Sequence, residues 1–162
     1  MQPTRKRKMK RDEELHPEVL RRVMEVVDRL SRDSSFALVC AHAYIELLIS
    51  VLVEQRCKNG KRMVKDSRAY PHSTQLVILN ELGLLSDPLF RQLDYLRKLR
   101  NKCAHTPLFR LTDADMEKFR ELGVSLPKGT IEDGRITFLL QELIRKTWEA
   151  GENVFVLRLL LA

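Results

Sequence analysis

The sequence predicts an all-α domain, an irregular bundle of five to seven helices. Three observations point there. From Leu85 the apolar residues Leu89, Leu93, Leu96, Leu99 and Cys103 recur at steps of three and four, the helical period. Phe36 to Val53 is apolar almost all round, which marks a central, buried helix. Prolines suited to a first helical turn (Pro17, Pro88) and glycines suited to a helix end (Gly83, Gly123) punctuate the remainder. The 162 residues suffice for one domain with a real core. The reading is a basic, disordered tail over 1–13 and a single all-helical domain over 14–162.

Taken in order, Arg5, Lys6, Arg7, Lys8, Lys10 and Arg11 place six positive charges before any periodic pattern begins, so most of the net charge of +7 sits in the tail. Such a tail can neutralise RNA or DNA phosphates without reading sequence, or can serve only as a solvated terminus. His16-Pro17 opens the first helix, with Leu20, Val23, Met24, Val27 and Leu30 on one face and an end near Arg32. Asp33 or Ser34 caps the central helix. Lys58 to Tyr70 is polar and basic, broken at Asn59-Gly60, and is expected to order poorly. A short helix over Ser73 to Leu82 ends at Gly83, and Ser86-Asp-Pro starts the next. Thr112-Asp-Ala-Asp caps a short helix to about Leu122. Thr130 to Thr137 is expected to form a small hairpin about Asp133-Gly134. Ile136, Leu139, Leu140, Leu143, Ile144 and Trp148 mark the last helix. The apolar stretch after Gly151, Val154 to Leu161, either completes the core or joins two subunits.

Chemistry gathers in Tyr95 to His105, YLRKLRNKCAH. Laid out at about 100° per residue, its leucines form one stripe, while Asp94, Arg97, Asn101 and His105 lie opposite and Arg100 falls at the stripe's edge. Pro107 disfavours helix at Thr106, so His105 sits in the last turn, where the carbonyl end of the helix favours a cation. In the central helix His42, Glu46 and Ser50 recur at four-residue steps and are expected to share one polar face. A buried carboxylate requires a cation, and Glu46 is expected to approach Arg100. His72, between Pro71 and Ser73, reads as an ordinary surface histidine.

R-N-K-C-A-H resembles the arginine, polar residue, three variable residues, histidine pattern of the HEPN superfamily. The wider segment LNELGLLSDPLFRQLDYLRKLRNKCAH resembles the mannitol-operon repressor (MltR-like) branch, and with the preceding helix the likeness runs from about Ser35 to Arg110. Arg11 to His16 repeats the spacing in a charged segment closed by Pro17, with no apolar stripe behind it, and does not belong to the likeness. The resemblance implies a metal-independent endoribonuclease of toxin or defence type, with Arg100, Asn101 and His105 as its catalytic residues and no metal or cofactor. His105 would move a proton while a ribose 2′-hydroxyl attacks the neighbouring phosphate, and Arg100 would stabilise the charge developing on phosphorus-bound oxygen. One motif supplies one histidine, so the activity entails a homodimer with the site in the cleft between copies. RNA, and an antitoxin or regulatory protein, are the implied partners. The MltR-like branch also implies a second role, transcription regulation by a non-catalytic protein working through protein contacts.

No phosphate-binding glycine loop, G-x-S-x-G elbow or H-E-x-x-H pair is present to suggest another enzyme class. Arg100, Asn101 and His105 also have a purely structural reading, Arg100 pinning the central helix through Glu46. Cys40, Cys57 and Cys103 form no CxxC pair and fit a reducing cytoplasm. The basic start runs into Asp12, Glu13 and Glu14 instead of an apolar signal segment, and the longest apolar run carries His42, Glu46 and Ser50. The expectation is a cytoplasmic protein with no membrane contact.

Overall fold

A computed structural model of the chain describes residues 13–127 and 133–160. They form seven α-helices and no strand: α1 (Pro17–Arg29), α2 (Ser34–Arg56), α3 (Gly60–Lys65), α4 (His72–Glu81), α5 (Asp87–His105), α6 (Asp113–Glu121) and α7 (Asp133–Leu160). A 3₁₀ turn, Leu30–Arg32, joins α1 to α2. The basic tail residues Arg5, Lys6, Arg7, Lys8, Lys10 and Arg11 lie outside the described residues.

Helix α2 is the hub, packed against α1, α3, α4, α5 and α7. Its start is fixed by Asp33, whose Oδ1 accepts from Ser35 N–H at 3.0 Å and Phe36 N–H at 3.3 Å. Ala37, Leu38, Ala41, Leu48 and Leu52 are fully buried along it. In length and apolarity α2 matches a membrane span, but in the fold 67% of that apolar window is buried against other helices. Leu15 is fully buried ahead of α1, and Glu14 O accepts from Tyr44 Oη at 3.3 Å. His16 caps α1, its Nδ1 accepting from Glu18 N–H at 3.2 Å.

Lys58 to Tyr70 does not form the loose loop expected of its polarity. Gly60 lies so close to α2 that a Cβ there would stand 2.1 Å from Val53 O. That close approach lets α3 fold back on α2, and Asp66 closes the following turn by accepting from Ala69 N–H at 3.1 Å. Helix α4 ends at Gly83, with Leu84 N–H on Leu79 O and Gly83 N–H on Asn80 O, each at 2.9 Å. Helix α6 is strapped to α5 by two side chains. Gln92 Nε2 donates to Leu122 O at 2.8 Å, and Tyr95 Oη donates to Asp115 Oδ1 at 2.9 Å.

The hairpin expected over Thr130 to Thr137 is also corrected. Its first residues fall outside the described ones, and Asp133 to Thr137 are already helical. The buried set Ile136, Leu139, Leu140 and Leu143 has the helical period, which overrides the turn signal of Asp133-Gly134. Helix α7 then runs without a break through Gly151. A Cβ at Gly151 would lie 2.5 Å from the Phe155 ring and 2.8 Å from Leu52, so glycine here permits close packing on α2. Beyond it Val154 and Phe155 are buried, whereas Val156, Leu157 and Leu160 are exposed. Arg158 Nη1 meets Glu54 Oε2 at 3.1 Å with both side chains largely covered, joining the ends of α7 and α2.

Candidate functional site

Helix α5 carries the motif and is built as its pattern requires. Ser86 Oγ accepts from Leu89 N–H at 3.4 Å, Pro88 occupies the first turn, and Leu89, Leu93, Leu96 and Leu99 are buried. The helix stops at His105, and Thr106 turns to extended geometry ahead of Pro107. Ser35 Oγ then donates to Phe109 O at 2.8 Å, fixing the loop after α5 to the start of α2. Between them Leu108 has a positive φ of 57° and is 97% exposed.

Arg100 is half-buried, and its Nη1 donates to Asn101 Oδ1 at 3.3 Å. Asn101 and His105 are exposed on the flank beyond it. The expected approach of Glu46 to Arg100 does not occur: no ion pair joins them among the described residues, and the Glu46 side chain is 48% exposed. The polar face divides. His42, against the His72 ring, and Ser50, beside Gln75, are buried, while the Glu46 chain carries its carboxylate out to water. Ser50 Oγ donates to Gln75 Oε1 at 3.3 Å, a structural link between α2 and α4. On α5 it is Arg97 that is matched, its Nε and Nη2 donating to Asp94 Oδ1 at 3.0 and 2.8 Å. Asp94 also holds Lys98 at 2.8 Å. Arg100 has no carboxylate partner among the described residues.

What the sequence reading missed is His72. It is no surface histidine but the first residue of α4, its ring packed edge-on against His42 with centroids 5.1 Å apart and planes at 73°. His42 Nε2 and both His72 nitrogens are buried with no hydrogen-bond partner among the described residues. Each such atom costs about 1–3 kcal/mol if nothing else meets it. Burial, then the positive charges of Arg100 and Arg97, push the His42 imidazole down to about 4. Burial is again the largest cause for His72, followed by His42, Arg97 and Arg100 with Asp94 opposing, and it falls to about 3. Both rings are therefore neutral near pH 7, and the 3.8 Å approach of His42 Nδ1 to Glu46 Oε2 is not an ion pair there. The contact spans 30 residues of chain, and no local pattern announces it.

On the opposite flank of α5 a cleft of about 560 Å³ is lined by Arg32, Ser35, Cys103, Leu108, Phe109 and Arg110, among others, and excludes Arg100, Asn101 and His105. Cys40, Cys57 and Cys103 are free thiols, each half-buried, and burial raises the first two above the usual thiol range. Among the described residues no group of three or more His, Cys, Asp or Glu side chains is placed to hold a metal ion. No family model matches the chain, and no curated protein or solved structure shows significant similarity to it.

Proposed function

We propose that the protein is an HEPN-like, RNA-directed endoribonuclease that works without a metal ion, with Arg100, Asn101 and His105 as its site. The observation that carries this reading is the state of Arg100. It stands beside Asn101 toward the end of α5 with no carboxylate among the described residues to neutralise it, and His105 is exposed one turn beyond Asn101. A guanidinium in that position is available to a phosphate. In the reaction the ribose 2′-hydroxyl loses its proton to an imidazole and attacks the adjacent phosphorus. The bond to the 5′-oxygen breaks, that oxygen takes a proton from a second imidazole, and the products are a 2′,3′-cyclic phosphate and a 5′-hydroxyl. Arg100 offsets the charge gathering on the non-bridging oxygens.

Two imidazoles call for two copies of the motif. Phe36 (65% exposed) and Val39 (42% exposed) lie with Ala43 on the outer side of α2, near the end tied to the loop after α5. Those apolar side chains support pairing of two copies through this face.

The test is RNA cleavage by the purified protein in EDTA, beside a His105→Ala variant of confirmed fold. Cleavage leaving cyclic phosphate ends, lowered at least 100-fold in the variant, is the expected result. No cleavage by a folded dimer across varied RNAs would overturn it and leave the non-catalytic regulator as the reading.

A further inference from the structure

The amino end of α4 is bare. Its N-cap is Pro71, which contributes no side-chain oxygen, and no acidic residue occupies its first turn. The backbone N–H groups of Ser73 and Thr74 enter none of the hydrogen bonds found among the described residues, so the positive end of this ten-residue helix is unanswered. Against that end lies His42, only 4% exposed, its Nε2 unpartnered and its ring on the ring of His72. Arg100 and Arg97 act on both imidazoles from α5.

We infer that the amino end of α4, together with His42, His72 and Arg100, is a phosphate-binding site.

The surroundings decide the sign of the ligand. Backbone N–H groups, a guanidinium and two imidazoles that can each gain a proton are donors, and a tetrahedral oxyanion accepts from all of them. A metal cation would meet the positive charges of Arg100 and Arg97, which act on both imidazoles, and is disfavoured. Two carboxylates face the site. Asp94 is matched by Arg97 and Lys98, and Glu46, near His42 Nδ1, reaches water. His72, at the first position of an uncapped helix, covers His42, so an entering ligand would have to displace its ring. An arriving phosphate cancels the field of Arg100 and Arg97 at the histidines, so binding draws in protons. The shared chemistry is a phosphoryl group, from a nucleic-acid backbone or from a phosphate monoester. It does not depend on whether RNA is cut.

The experiment titrates the full chain with inorganic phosphate at constant ionic strength and follows the side-chain NMR resonances of His42 and His72. Saturable shifts in both, weakened about tenfold in Arg100→Gln, are expected. Sulfate, which keeps its charge across this range, should bind more tightly at about pH 5 than at about pH 7, and His72→Gln should lose most of that dependence. An oligonucleotide without terminal phosphates that competes would identify a backbone diester as the source. Competition by a nucleoside monophosphate alone would identify a monoester, and either result supports the site. Unsaturable shifts, equal binding by Arg100→Gln, or no competition by either nucleotide probe (an adventitious ion only) would overturn it. RNA cleavage is scored separately, so loss of that activity leaves this result standing.

Discussion

A guanidinium with no carboxylate beside it keeps its charge for an incoming group, and among the described residues Arg100 is so placed. Glu46, the partner its sequence position suggested, is a solvated side chain instead. Glu46→Ala is therefore expected to change stability by no more than about 0.5 kcal/mol. Urea unfolding checks this, and a loss of several kcal/mol would show that the carboxylate holds a buried charge after all. The histidine pair has the opposite character. A free imidazole titrates near 6.5, whereas folding holds His42 at about 4 and His72 at about 3. Between those values the unfolded chain binds protons that the folded chain refuses, so stability rises with pH across the window and is lost on acidification. Going from pH 7 to pH 5 should cost about 1–2 kcal/mol for each histidine. His72→Gln should remove roughly half of that loss. An undiminished loss would move the effect elsewhere, since Asp94 and Glu142, with lowered carboxyl values, matter only in stronger acid.

Among the elements, α1, α2, α5 and α6 lie close to where the sequence puts them, because each opens on a side-chain cap ahead of a periodic apolar set, and α4 does because Gly83 marks its end. The errors share one cause. At Asn59-Gly60 and Asp133-Gly134 a local turn signal competed with contacts made far along the chain. Gly60 marks no loose loop; it is needed for close contact with Val53, which cannot be known before α2 and α3 are laid together. Gly151, inside α7, is likewise a packing surface that shows only in three dimensions. For the candidate site, the motif and the end of its helix at His105 were legible from spacing and from Pro107. The His42–His72 contact was not, because it joins the side of α2 to the amino end of α4 across 30 residues of chain. The Arg158–Glu54 bridge was hidden for the same reason. It clamps the far end of α7, and Arg158→Ala should cost about 1.5–3 kcal/mol through loss of the charge-assisted hydrogen bond to Glu54. A thermal midpoint within a degree or two of the parent would show that the clamp contributes little.

At the scale of the molecule, everything depends on how completely α2 is surrounded. Its residues 34–56 are apolar enough for a lipid environment, and α7, one of its main covers, lies at 133–160. A chain made from its amino end therefore displays α2 on the ribosome well before that cover exists. At ordinary elongation rates of about 5–20 residues per second, the interval is several seconds. Throughout it the nascent chain presents a long greasy helix to chaperones and to the membrane-targeting machinery alike. The late arrival of α7 makes biosynthesis, more than equilibrium stability, the stage at which this protein is most exposed to misrouting and aggregation.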